Sequence, residues 1–231
     1  MATDTENFER WLDTPLGQVL LERERALVSE ALEQVFGFQI LQIGGWGGSA
    51  SFVEHAKTLR GARVTSAPSP GADLVSEPSR LAIASDSVDA VVLPHTLELD
   101  VNPHDTLREV QRVLVGEGHI LLLGFNPWSL WGARSAFSFG VTPARRRAMI
   151  SEHRICDWLN LLGLETVQSR RYFFTLPINR DAVHKRLGRL EAAGERYLSL
   201  VTGAYLLLAR KRVYRLTPAR PARIRRPRVV G

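Results

Sequence analysis

Ile40-Leu41-Gln42-Ile43-Gly44-Gly45-Trp46-Gly47-Gly48-Ser49 runs an apolar strand straight into a glycine-dense turn, and an amphipathic segment, Ser51 to Arg60, follows it. Glycine suits such a turn because the backbone there needs unusual angles and because a ligand can approach the bare main chain closely. Strand, glycine turn and helix is the way an open α/β sheet begins a nucleotide-type pocket. The same turn also occurs in α/β proteins that hold no cofactor, so the stretch admits a structural reading beside the functional one. Trp46, the largest side chain, stands where such turns usually carry none.

Outward from this stretch the chain alternates helical and strand-like patterns. Upstream, residues 14–36 repeat apolar side chains at helical spacing (Leu20, Leu21, Leu27, Val28, Ala31, Leu32, Val35), with Glu and Arg between, and predict a helix closed by Gly37. Strands are expected at Gln39–Ile43, Ala62–Ser66, Asp73–Val75, Val88–Leu93 and His119–Phe125. Val88–Leu93 and Ile120–Leu123 are almost wholly apolar, as strands covered on both faces are. Asn102-Pro103 opens a helix whose stripe is Leu107, Val110 and Leu114, ending at Gly116. Thr142-Pro143 opens another, with Ile155, Trp158, Leu159 and Leu162 on one face and Gly163 at its end. The last third reads as strand (Leu164–Leu176), helix (Asp181–Ala193) and strand (Ala204–Arg212). Two strands so close together suggest an antiparallel edge on a parallel sheet. No internal repeat is found.

Bulk properties bound the function classes. At 231 residues and 45% hydrophobic, the chain suits one α/β domain with a full core. A single cysteine, Cys156, excludes an internal disulfide and fits a reducing compartment. No secretory signal is read at the polar amino end, and no apolar run reaches bilayer length, so a cytoplasmic protein without a membrane span is expected. The net charge of +6 is concentrated: Lys211 to Gly231 holds seven Arg, one Lys and no acid, which leaves about −2 for the rest.

Four segments in order carry a family resemblance. They are the glycine turn after the first strand, Leu81-Ala82-Ile83-Ala84-Ser85-Asp86-Ser87-Val88-Asp89, Pro94-His95-Thr96-Leu97-Glu98, and Leu107 through Gly118. Over roughly Gln39 to Arg212 the chain resembles a class I S-adenosylmethionine-dependent methyltransferase. The run Gly124-Phe125-Asn126-Pro127-Trp128-Ser129-Leu130-Trp131-Gly132 narrows the similarity to a bacterial branch that includes YafS-like proteins. The resemblance implies a Rossmann-like, seven-stranded, mostly parallel sheet with an antiparallel C-terminal edge strand, helices on both faces and an N-terminal helical extension. The expected division is residues 1–38 (extension), 39–212 (methyltransferase-like domain) and 213–231 (basic Arg/Pro-rich tail).

The resemblance also implies a cofactor site for S-adenosylmethionine. Gly44, Gly45 and Gly47 would bring backbone near the cofactor's amino-acid end and ribose, with Trp46 among them. Ser66 would meet the ribose hydroxyls, Glu77 would accept from the adenine amino group, and Leu93, Pro94 and His95 would close over the methionine portion. Three positions depart from the family's habit: it usually carries an acid at Gln42, a glycine at Trp46 and an acid near Ser66. A carboxylate on ribose hydroxyls makes bonds of about 1.5–3 kcal/mol each, against about 1 kcal/mol for one neutral serine bond. The exchange at Ser66 therefore weakens binding by roughly one to two orders of magnitude. Trp46 blocks the pocket, swings out of it, or lays its ring against the sulfonium.

Other residues carry weaker signals. His95, just past an apolar strand, is the one candidate catalytic base, against the plainer reading of a histidine hydrogen-bonded at a strand end. Trp128, Trp131, Phe137 and Phe139 read either as a loop that stacks on a flat acceptor or as an apolar loop packed on the body. Arg145-Arg146-Arg147 at a helix start opposes the helix dipole and hints at an anionic partner, or is a solvated charge run. The Arg-rich tail suits a nucleic-acid backbone. P-loop, His-Glu-x-x-His and Gly-x-Ser-x-Gly patterns are absent, and His and Cys are scattered rather than at metal spacing. A nicotinamide site would want Gly-x-Gly-x-x-Gly, also missing. The expected function is S-adenosylmethionine-dependent methylation of an unidentified acceptor. The alternative is a catalytically eroded descendant of the fold that binds nucleic acid or a protein partner.

Overall fold

A computed structural model describes residues 11–47, 52–137, 149–173 and 202–213. Its frame is one sheet of seven strands: β1 (Phe36–Ile43), β2 (Lys57–Thr65), β3 (Leu74–Val75), β4 (Val88–Pro94), β5 (Leu114–Phe125), β6 (Leu164–Tyr172) and β7 (Ala204–Lys211). Their spatial order is β3-β2-β1-β4-β5-β7-β6. The first five strands pair in parallel. β7 lies antiparallel to both of its neighbours. The order reverses between β1 and β4, and such a switch point opens a crevice outside the carboxyl ends of the strands.

Alternation along the strands feeds two cores. Ile40, Ala90, Val92, Leu121, Leu123, Leu206 and Leu208 point to one face. Leu41, Ile43, Val91, Leu93, Ile120, Leu122 and Leu207 point to the other. On the first face lies α1 (Pro15–Leu32). Thr14 caps it by accepting from the Gly17 N–H at 3.1 Å, and Pro15 supplies a first-turn residue that needs no donor. Its buried stripe is Leu16, Leu20, Leu21, Leu27, Val28, Ala31 and Leu32, and one acid, Glu24, sits in the middle of it. Four further helices follow: α2 (Thr96–Leu99), α3 (Pro103–Val113), α4 (Leu130–Phe137) and α5 (Glu152–Leu161). α3 contributes Leu107, Val110 and Val113, and α5 contributes Ile155 and Leu159, to the second core. Among the described residues no helix is long and apolar enough to cross a membrane.

Several boundaries differ from the sequence reading, each for a physical reason. α1 stops at Leu32, and Gly37 lies inside β1 rather than closing the helix. The Asp89 carboxylate crosses over Gly37, where a Cβ would collide with it, and accepts from the N–H groups of Phe38 and Gln39 at 2.8 and 2.9 Å. The expected boundary after residue 38 thus falls within β1. The helix read over Ser51 to Arg60 is absent: a short 3-10 turn, Phe52–His55, leads into β2 at Lys57. Pairing with β1 from Phe36↔Lys57 to Ile43↔Val64 claims those residues for the sheet, and tertiary pairing overrides a short helical stripe. At the far side β7 is inserted between β5 and β6, so the antiparallel pairing covers that end while β6 forms the edge. The helix expected from Thr142-Pro143 is described from Glu152, with Ser151 preceding it. Residues 142–148, 174–176, the 181–193 helix, Arg145–Arg147 and the tail beyond Val213 lie outside the described residues.

Candidate functional site

The glycine turn leaves β1 beside the end of β4. Gly44 has φ +109° and Gly47 φ +99°, angles that favour glycine. A Cβ on Gly44 would stand 2.7 Å from the Thr96 hydroxyl, which itself donates to the Ile43 carbonyl. Gln42 shapes the turn from within: its Nε2 donates to the carbonyls of Gly44 (3.3 Å) and Trp46 (3.1 Å), while its Oε1 accepts from the Phe52 N–H (2.8 Å). A carboxylate there has no hydrogen to offer two carbonyls, so the departure at Gln42 has a structural reason. Gly45 is half-buried and Gly47 buried.

Trp46 turns inward. Its indole is 3% exposed, stacks on Trp11 at 6.4 Å and 18°, and stands 4.5 Å from the His95 ring. Its Nε1–H donates to Glu24 at 2.5 Å. His95 follows Pro94 at the end of β4 in a left-handed conformation (φ 53°), wholly buried and stacked 4.1 Å from Phe125. Its Nε2 meets Glu24 Oε1 at 2.9 Å and its Nδ1 meets Glu98 Oε2 at 3.0 Å. Tyr172, from the end of β6, donates its hydroxyl to the same Glu24 oxygen at 2.9 Å. Glu98 also accepts from the Phe125 N–H at 2.5 Å. Glu24 therefore gathers three donors from the glycine turn, β4 and β6 into one buried node.

The node's electrostatics follow from that geometry. Burial alone would push His95 down, but the carboxylates of Glu24 and then Glu98 outweigh it and hold the imidazole up at about 9. At neutral pH both ring nitrogens then carry hydrogens and both donate. Burial raises Glu98, against the pull of His95 and of the Phe125 N–H. Burial, then the Glu24 charge, drives Tyr172 well above 10. In this conformation His95 has no lone pair with which to accept a proton.

The remaining expected residues lie along the same carboxyl edge. Ser66 is exposed one residue past β2, and Glu77 is exposed two residues past β3; Pro94 is buried beside His95. The structure brings Gly44, Trp46, Pro94 and His95 together, and leaves Ser66 and Glu77 in the open. Of the aromatic residues of the loop after β5, Trp131 is 1% exposed and sits in the core against Trp11 and Phe173, so it cannot stack on an acceptor. Phe139 and the side chain of Phe137 lie outside the described residues. Trp128 is 75% exposed and lines a cavity of about 340 Å³ at the carboxyl ends of β5 and β6, with Asn126, Glu152, Arg171 and Tyr205. The Tyr205 ring lies across Gly124, where any Cβ would strike it, and its hydroxyl donates to the Ile150 carbonyl at 2.8 Å.

Sequence reading missed Glu24, Glu98 and Tyr172. For Glu24 the signal was present, an acid at a stripe position of an otherwise apolar helix face. Glu98, three residues after His95, was readable as a helical neighbour. Tyr172 has no local signal.

Residues 28–122 match the family described as a methyltransferase domain. YafS of Escherichia coli (strain K12) is 30% identical over 213 residues, which span 90% of this chain and 82% of that protein. The chain belongs to the YafS-like branch of the class I S-adenosylmethionine-dependent methyltransferases. Among solved structures, an S-adenosylmethionine-dependent methyltransferase of Thermotoga maritima superposes with a TM-score of 0.60 at 15% identity, covering 90% of this chain and 95% of that one. The [4+2]-cyclase SpnF superposes with a TM-score of 0.58 at 17% identity, covering 83% and 81%. A cyclase among the neighbours shows that the shared fold does not dictate the reaction. For this YafS-like methyltransferase the functional argument rests on the site. Glu24 lies outside the matched residues, on a helix whose last turn alone falls within them.

The cofactor of this family fits the site unevenly. At the adenosine half, the turn offers half-buried backbone at Gly44 and Gly45, and Ser66 and Glu77 present exposed polar side chains. At the methionine half, the indole of Trp46 and the Glu24 node fill the ground between the turn and His95. The two halves disagree, and the disagreement centres on Trp46 and the carboxylate it meets.

Proposed function

We propose that the protein transfers the methyl group of S-adenosylmethionine to a small molecule seated in the cavity at the carboxyl ends of β5 and β6. The observation that supports this most is the glycine turn at the β1/β4 switch point, in a chain of this family. When bound, the cofactor supplies an activated methyl on a good leaving group. The chain's own work is then alignment and exclusion of water. Gly44, Gly45 and Gly47 would carry the cofactor's backbone contacts, Ser66 would meet the ribose hydroxyls and Glu77 the adenine amino group. Pro94 and His95 would close the methionine end. His95, protonated and doubly hydrogen-bonded, acts there as a positioning residue that fixes Glu24 and Glu98. A cavity of about 340 Å³ sits at the small end of ligand pockets and suits one or two rings. The exposed indole of Trp128 gives such a ring a face to stack on.

Calorimetry with S-adenosylhomocysteine tests the cofactor half. Binding in the micromolar range is expected, and Gly44→Val abolishes it, because a branched side chain at φ +109° strikes the Thr96 hydroxyl and reshapes the turn; circular dichroism checks that the rest of the fold is kept. A folded protein that gives no heat at millimolar ligand sinks the proposal and favours the eroded, non-catalytic alternative. Methyl-labelled cofactor incubated with a cell extract tests the acceptor half. The label is expected in a product of low mass; label on RNA or protein instead rejects the cavity as the acceptor site.

A further inference from the structure

The switch-point crevice is filled by the protein's own side chain, and that side chain stands on a glycine turn. Trp46 is bracketed by Gly44 and Gly47, both at positive φ, with Gly45 between. No other residue of the turn has a bulky side chain, so rotation about the side-chain bonds of Trp46 moves the indole with little else. The inward position is held by a buried set of ring contacts, the His95 ring at 4.5 Å among them, and by one strong polar anchor. One hydrogen bond joins Nε1 to Glu24 at 2.5 Å, one ring stack lies on Trp11, and edge contact is made with Phe125 at 6.2 Å. The backbone under it is pinned separately, by Gln42 on the Trp46 carbonyl. The turn can therefore keep its shape while the ring changes place.

We infer that Trp46 is a removable stopper that sets the protein's affinity for its cofactor, with Glu24 on the preceding helix as its latch. This rests on the cofactor reading proposed above. With the indole inward, the methionine end has no room. With the indole outward, the turn, Pro94 and His95 border an open crevice, and the Glu24 carboxylate is uncovered toward the place where a sulfonium or ammonium cation would lie. A ligand that binds only the outward form shows an apparent dissociation constant equal to its intrinsic value divided by the outward fraction. Removing the stopper removes that penalty. Glu24 reaches the crevice through both Trp46 and His95, so the helix that bears it borders the place the cofactor would take.

Calorimetry with S-adenosylhomocysteine on the full chain, on Trp46→Gly and on Trp46→Phe tests the inference, with circular dichroism to confirm folding. Trp46→Gly is expected to bind at least tenfold tighter than the parent. Trp46→Phe keeps a ring but has no N–H for Glu24, and is expected to fall between the two. It also serves as the informative variant if the glycine form does not fold. Measurable binding by the parent that neither variant improves removes the stopper and leaves the cofactor reading standing. No binding by any of the three folded proteins removes the cofactor reading, and the stopper with it.

Discussion

Replacing Glu24 by alanine lowers the stability of the fold by about 3–5 kcal/mol, the range for breaking one side of a buried ion pair. Urea denaturation at neutral pH measures it as a fall in the transition midpoint. The loss is large because three partners are stranded together: the His95 imidazolium, the Trp46 N–H and the Tyr172 hydroxyl all point at this carboxylate, and none of the three side chains reaches water. Each keeps its desolvation cost and loses its acceptor. Glu30, six residues further along the same helix, pairs with Arg170 in the open, and Glu30→Ala leaves the midpoint where it was. A Glu24→Ala protein as stable as its parent overturns the account of the node.

The second large effect is on the pH dependence of stability. His95 titrates at about 9 in the folded protein against about 6.5 in an unfolded chain. Its contribution is whole below about pH 6.5 and is lost as pH rises through 9, because over that interval the folded state holds a proton the unfolded chain has released. A shift of this size corresponds to roughly 3 kcal/mol. The groups facing the ring are Glu24 from α1 and Glu98 from α2, and Tyr172 joins them from β6 through Glu24. Burial raises Glu98, so its contribution also declines as pH climbs, starting from the carboxylate range, and the two act in the same direction. His119 is lowered by burial and by Arg210, so its contribution is lost only as pH falls below the usual histidine range and does not mask the decline. Denaturation midpoints taken between pH 6 and 9.5 are expected to fall steadily, and Glu24→Ala flattens the curve. A midpoint that is level across this interval, or one that rises, contradicts a charged His95.

Much of the frame was legible because it is local. Ile40–Ile43 and Val88–Leu93 are apolar runs that two covered faces require, and Asn102-Pro103 and the Leu107–Val110 stripe mark α3 without help from the rest of the chain. The glycine turn announced itself for the same reason, since its backbone angles need glycine wherever the chain goes next. What stayed hidden depends on partners far away in sequence. His95 and Glu24 are 71 residues apart, and Tyr172 and Glu24 148, distances at which no periodicity speaks. The stretch after Ser51 has a helical stripe and still joins the sheet, because β1 offers a ladder of backbone partners along its whole length. Gln42 read as a lost acid; only the fold shows that its amide does work a carboxylate cannot.

The place of β7 has a consequence for how the chain is made. β5 and β6 do not pair with each other; β5, already beside β4, finds its second partner in residues 204–211, and β6 pairs with the same strand. Among the described residues, the growing polypeptide therefore leaves the outer edge of β5 bare, and β6 without a ladder partner, until β7 has left the ribosome. Lys211 then fastens that strand by donating to the carbonyls of Gln111 and Leu114 at 2.9 and 2.6 Å. Translation that terminates before residue 204 yields a product with an open, apolar strand edge, a species destined for chaperones or aggregates.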